Sequence, residues 1–220
     1  MESCELIPNI AFKLCKKYNL LKEPFFKKNI KNKFYVLVRL NLNEGKNFFI
    51  TRLENVIHEI EGKYTEFLIA QNEKQSESFW RFRENLTEAQ KLEGKVIAYD
   101  ISLPIDVLEN FISFSKKEIS KILPGIKFYP FGHLGDSNIH FNLIEPDDFQ
   151  SDFDKYEVRF SKIIYKYVLN NKGSISAEHG IGYLKKNDFI DSIDKEELNV
   201  IKGIKKIFDP RNILNYGKII

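Results

Sequence analysis

Residues 132–142, GHLGDSNIHFN, constrain the fold more tightly than any other stretch of the chain. Gly135, Asp136, Ser137 and Asn138 are residue types that favour tight bends. The residues that follow, 139–144 (IHFNLI), are rich in strand formers. A strand at 126–131 must therefore turn back on a second strand and pair with it as a hairpin. Side chains alternate along a strand, so His140 and Asn142 share one face. His133 stands before the bend and His140 on the returning strand, an arrangement in which two imidazoles can converge on one point.

Residues 173–182, GSISAEHGIG, add Glu178 and His179. Two imidazoles and one carboxylate are a common ligand set for a catalytic zinc, with one position open to water or substrate. Nitrogen and oxygen donors suit zinc, manganese or iron and do not suit a copper(I) thiolate site. Histidines at this spacing are also ordinary surface or core residues, so spacing alone leaves both readings open.

The rest of the chain supplies a scaffold. Short strands are expected at 4–7, 34–42, 63–70, 95–103 and 126–131, and helices at 10–18, 46–60, 73–93, 104–123, 152–171 and 194–208. Residues 22–33 read as a polar loop around Pro24, and His58 as a helix-surface residue. Pro104 opens its helix at a position proline tolerates, Pro124-Gly125 stops it, and Gly173 closes the 152–171 helix in the usual C-terminal role. The tail after Asp209-Pro210 reads as extended. The alternation implies an α+β fold, a mostly antiparallel sheet with helices on one face. No glycine-rich phosphate loop is present.

Composition excludes several classes. A net charge of +3 over 220 residues is too weak to point to nucleic acid. The two cysteines, Cys4 and Cys15, have no metal spacing and suit a reducing compartment. No apolar run approaches a transmembrane segment, and the N-terminus lacks the basic and apolar regions of a signal peptide. The expectation is a cytoplasmic protein.

Three motifs in order, GHLGDSNIHFN, GSISAEHGIG and FDPRNILNYGK, resemble the C-terminal half of FAD-linked 2-hydroxyacid dehydrogenases of the vanillyl-alcohol oxidase type. FWRFREN and YDISLP extend the likeness, toward the D-2-hydroxyglutarate branch and beside the D-lactate and glycolate enzymes. The resemblance implies a ferredoxin-like antiparallel sheet with flanking helices at 1–150. It implies a C-terminal helical segment at 151–220 that contacts a flavin domain. It implies that FAD is held mainly by a domain not matched here, so that a separate FAD-domain polypeptide is expected as partner and the isolated chain is redox-inactive. His133, His140 and Glu178 match the metal ligands, for zinc or alternatively manganese. His179 matches the general base. Arg83, Thr87, Asn142 and Glu178 match binders of a small 2-hydroxy acid, and Asn215 and Lys218 match cofactor contacts.

Three departures from the pattern bear on function. Ala98 stands where that branch has lysine, Ser137 where glycine is common after the bend's aspartate, and Tyr216 where the tail has proline. Two further readings remain open: a non-catalytic metal-binding remnant, which Ala98 and Tyr216 favour, and a flavin-free metal hydrolase.

Overall fold

The computed structural model describes residues 1–21, 34–40, 51, 54–56, 58–59 and 68–220. The expected loop at 22–33 lies outside the described residues, as do much of the 46–60 helix and positions 63–67 of the expected strand. Thr51, residues 54–56, His58 and Glu59 are helical and exposed, and residues 68–70 have no regular structure. The chain forms two compact units, Met1–Gly94 with Phe131–Gly135, and Lys95–Pro130 with Asp136–Ile220.

The first unit opens with β1 (Ser3–Pro8), which passes through Pro8 directly into α1 (Asn9–Lys17). β2 (Phe34–Arg39) pairs antiparallel with β1, from Ser3 opposite Arg39 to Pro8 opposite Phe34. Val36 and Val38 are exposed, and among the described residues β2 ends the order of strands beside β1. α1 turns Ala11, Leu14 and Cys15 inward, and burial pushes the Cys15 thiol up to about 12.

The helix expected at 73–93 is two helices, α2 (Glu73–Glu84) and α3 (Leu86–Glu93). Asn72 caps α2 by accepting the Gln75 N–H at 3.0 Å. The break falls at Asn85, whose side-chain amide donates to the Leu20 carbonyl at 2.9 Å. A tertiary hydrogen bond there competes with helix continuity.

The second unit holds β3 (Val96–Ile97), β4 (Asp100–Ser102), α4 (Leu108–Ile122), most of β5 (Lys127–His133) and β6 (Asn138–Ile144). Helices α5 (Glu157–Asn170), α6 (Lys186–Ser192) and α7 (Lys195–Phe208) follow. The hydrogen-bonded strand order is β2-β1-β5-β6-β3, with β4 on β6. Every pairing of known register is antiparallel. This is the expected α+β fold, a six-stranded sheet with flanking helices.

The single strand expected at 95–103 is split into β3 and β4, which share one register against β6: Val96 opposes Ile144 and Asp100 opposes His140. Between them the Phe141 N–H still reaches the Tyr99 carbonyl at 2.8 Å. Pro104 precedes a short 3-10 turn, and α4 begins only at Leu108. Phe111 of α4 meets Phe141 of β6 edge to face at 4.9 Å, and both are fully buried. Phe160, Ile164 and Val168 recur along α5 at helical spacing and are fully buried. Each such side chain contributes about 2 kcal/mol through removal from water.

Two further segments differ from expectation. α6 fills residues that carry no clear apolar period. The tail is a run of turns and not an extended strand. Asp209 holds it: the carboxylate accepts the N–H groups of Ile213 and Leu214 at 2.9 Å each, and the Lys205 ammonium. Among the described residues no helix is long and apolar enough to cross a membrane.

Candidate functional site

The bend between β5 and β6 is a 3-10 turn at Leu134–Asp136, followed by Ser137 in the left-handed region at φ 58°. A side chain there carries strain that glycine would avoid. The bend delivers His140 to β6, directly opposite Asp100 on β4.

The second motif is placed by the end of α5. Lys172 takes the left-handed position at φ 59°, its N–H bonds to Leu169 O at 3.1 Å, and the Gly173 N–H bonds to Val168 O at 2.9 Å. This is a Schellman closure with lysine, not glycine, in the left-handed place. Gly173 is required for a different reason. A β carbon on it would lie 2.9 Å from Val168 Cγ1 and would strike the Ser102 carbonyl of β4. The close approach lets Ser174 and Ser102 exchange two backbone hydrogen bonds at 3.0 Å. The loop that follows is thereby docked onto β4.

That loop is held by one acid and one base. Oδ2 of Asp100, a residue only 2% exposed, accepts three consecutive N–H groups: Ala177 at 3.1 Å, Glu178 at 3.0 Å and His179 at 2.8 Å. The Lys185 ammonium donates to Ile175 O at 3.0 Å, Ser176 Oγ at 3.2 Å and Asp100 O at 3.5 Å. Burial pushes the Asp100 carboxyl up. The N–H groups of His179 and Glu178, with the nearby His179 and Lys185, outweigh it and hold the carboxyl below the usual range. Burial pulls the Lys185 ammonium down, against the pull of Asp100.

Glu178, His140 and His179 converge. His140 Nε2 lies 3.2 Å from Glu178 Oε1, and His179 Nε2 lies 3.8 Å from the same oxygen. At the other side of the rings, His140 Nδ1 is 3.9 Å from Asp100 Oδ1 and His179 Nδ1 is 3.8 Å from Asp100 Oδ2. The two imidazoles stack with centroids 5.5 Å apart and planes 22° apart. One donor atom from each of Asp100, His140, Glu178 and His179 falls within 4.8 Å of all the others. Asp100 Oδ1 is buried and accepts no hydrogen bond from the described residues. A clustered nitrogen and oxygen donor set of this kind fits a divalent ion such as zinc or manganese.

His133 and Arg83 belong to the first unit and meet a different carboxylate. Glu5 on β1 stands opposite His133 on β5. Its Oε1 is 2.8 Å from His133 Nδ1, and its Oε2 accepts Arg83 Nε at 2.7 Å. The Glu5 side chain is 4% exposed and that of Arg83 12%, so this is a buried pair and not a surface pair with Glu84. The guanidinium also lies over the Phe131 ring at 5.1 Å. Fixing Nε leaves the outer edge of the Arg83 fork directed by a rigid partner.

The other expected site residues are placed as follows. Thr87 is exposed on α3, one helix beyond Arg83. Asn142 is buried on β6, two residues after His140 and therefore on the same strand face. Asn215 and Lys218 are exposed in the tail, joined by the Lys218 N–H to the Asn215 carbonyl at 3.1 Å. Ala98 is exposed on β4's lead-in. Sequence reasoning did not single out Asp100, Glu5 or Lys185. The signal for the two acids was a lone charge inside an apolar strand, CELIP and KVIAYDISL, which must be paired if buried.

Residues 1–219 match the family model described as FAD linked oxidases, C-terminal domain. The chain is 32% identical over 194 residues to the mitochondrial D-2-hydroxyglutarate dehydrogenase of Arabidopsis thaliana, covering 85% of this chain and 32% of that protein. It is 31% identical over 226 residues to a putative mitochondrial D-lactate dehydrogenase of Schizosaccharomyces pombe, covering 97% of this chain and 41% of the relative. It is 33% identical over 162 residues to the D-2-hydroxyglutarate dehydrogenase of Xanthomonas citri pv. viticola, covering 72% and 34%. The chain thus spans about a third of the length of these relatives. With a matching domain over nearly its whole length, the chain belongs to the FAD linked oxidases and corresponds to their C-terminal domain.

Proposed function

We propose that the chain is the substrate- and metal-binding part of an FAD-linked oxidoreductase. The substrate is a D-2-hydroxy acid of the 2-hydroxyglutarate, lactate or glycolate type, and the product its 2-oxo acid. The observation that carries the reading is the convergence of His140, Glu178 and His179 beside the buried Asp100. His140 and Glu178 would hold the ion; the resemblance also assigns His133 to it, a residue whose Nδ1 meets Glu5. An ion bound there would lower the pKa of the substrate hydroxyl. His179, exposed and next to the ligand Glu178, takes the hydroxyl proton at Nε2. FAD, if bound, would supply the hydride acceptor for oxidation at the α carbon. Arg83 binds the substrate carboxylate with the part of its fork that Glu5 leaves over, helped by Thr87 and Asn142. Ala98 offers no ammonium to a second carboxylate, which favours acids with a single carboxylate.

FAD itself is held mainly by an FAD-binding domain outside these residues, with Asn215 and Lys218 as contacts from the tail. Support comes from a band of exposed apolar side chains between Tyr183 and Ile219, including Leu184, Ile207, Phe208 and Tyr216. The free Cys4 and Cys15 suit the reducing cytoplasm.

The test is elemental mass spectrometry of the purified wild-type chain beside His140→Ala and Glu178→Ala. Near-stoichiometric zinc or manganese, lost from both variants, is expected. A folded wild-type chain that takes up neither ion would end the metal assignment. Addition of an FAD-binding domain should then give oxidation of a D-2-hydroxy acid that His179→Gln abolishes.

A further inference from the structure

We infer that Asp100 is the positioning residue of this site: its one carboxylate fixes the backbone that carries Glu178 and His179 and sets the tautomer of both imidazoles. The inference rests on the reading of His140 and His179 given above. Three observations carry it. First, Oδ2 accepts the N–H groups of three successive residues, 177 to 179, which determines where the ligand carboxylate and the base leave the loop. A concave row of N–H groups closing on one anion is a rigid arrangement. Secondly, both rings have the same polarity about the acid. Nδ1 of each faces Asp100, at 3.9 and 3.8 Å, and Nε2 of each faces Glu178, at 3.2 and 3.8 Å. Thirdly, Oδ1 is buried with no hydrogen bond among the described residues. A buried anion with spare acceptor capacity favours a proton on the nitrogen that faces it.

The separations to Nδ1 exceed hydrogen-bond length, so the effect in this geometry is that of a fixed charge on ring orientation. Closing the His140 gap requires a movement of about 1 Å, within reach of a ring turn when Nε2 binds an ion. With Nδ1 protonated, both lone pairs lie at Nε2, one for the ion and one for the substrate proton. The opposite tautomer would leave neither function possible. Outer carboxylate partners of ligating histidines typically change metal affinity by about 10- to 100-fold. Lys185 completes the support, since its ammonium grips the carbonyl side of the loop whose N–H side Asp100 holds.

The test uses the full chain without metal, labelled with 15N at histidine, at about pH 8, above the ordinary histidine pKa near 6.5. The imidazole nitrogen shifts of His140 and His179 should report Nδ1–H in both. Asp100→Asn, which keeps the shape and removes the charge, should shift both toward the mixed or Nε2–H form. It should also weaken zinc binding, measured with zinc alone, by at least tenfold. Wild-type rings found mainly as Nε2–H would overturn the inference without recourse to any variant. So would a folded Asp100→Asn chain with unchanged zinc affinity and unchanged shifts. If Asp100→Asn fails to fold, the wild-type shifts and slow hydrogen exchange of the 177–179 amides decide the matter. Asp100-dependent tautomers in a chain that binds no zinc would instead uphold the positioning role and sink the metal reading.

Discussion

Glu5 and Asp100 are single acids in otherwise apolar strands, and each faces two basic side chains, Arg83 and His133 for Glu5, His140 and His179 for Asp100. Such a residue cannot be judged by net interaction energy alone. Replacing a whole buried pair is often neutral, whereas removing one partner leaves a buried charge uncompensated. Glu5→Gln should therefore lower stability by about 3 kcal/mol, because the Arg83 guanidinium stays inside. Urea unfolding reads this directly, and an unchanged midpoint would show that Arg83 finds another partner. Asp209 makes a pH prediction. The Lys205 ammonium, followed by the N–H groups of Ile213 and Leu214, holds its carboxyl below the usual range, against the opposing effect of burial. A depressed folded pKa means that the unfolded chain binds its proton first as pH falls. The contribution is complete above the unfolded value of about 3.9 and is lost as pH drops through the lower folded value. The tail should stay ordered at neutral pH and loosen only in acid, with exchange of the Ile213 and Leu214 amides rising first. In Asp209→Asn those amides should exchange rapidly already at neutral pH.

Elements were legible where a period or a punctuating residue marked them. The hairpin around residues 134–137, α4, α5 and α7 follow from alternation, apolar stripes and stops that act within a few residues. What escaped were effects of distant partners. The Asn85 break depends on a carbonyl at Leu20, and the turns of the tail depend on Asp209. The same holds at the site: the histidines and Glu178 stand out as residue types, but the acid that holds the backbone of Glu178 and His179 lies 78 and 79 residues away from them in the chain. Glycines illustrate the point through two substitutions with opposite signs. Gly173→Ala drives a methyl group into the Ser102 carbonyl and Val168, and overpacking of this kind costs about 1–3 kcal/mol. It should also loosen the 174–179 loop and weaken metal binding. Gly203→Ala in α7 meets nothing within 4 Å among the described residues and should stabilise by roughly 0.5–1 kcal/mol. Thermal unfolding of the two variants should move in opposite directions. A loss in both would mean that α7 is held by contacts its exposure does not reveal.

At the scale of the whole molecule the question is what the apolar surface of residues 183–219 is for. Leu184 is 88% exposed and Phe208 79%, beyond what single scattered hydrophobics require. Neither belongs to the cluster of Asp100, His140, Glu178 and His179. Metal binding and partner binding should therefore separate. Leu184→Glu combined with Phe208→Glu should leave zinc content at the wild-type level. If each anchor is worth more than about 1 kcal/mol to an interface, the pair should weaken binding of an FAD-binding domain by at least roughly 30-fold. Isothermal titration of the two chains, with metal content measured on the same preparations, checks both halves. Unchanged partner affinity would assign this surface to some other contact. Loss of zinc with it would show that the surface supports the metal site and does not simply dock a neighbour. Intact zinc with lost affinity would divide the domain's work in two, a loop held by Asp100 for chemistry and an apolar tail for assembly.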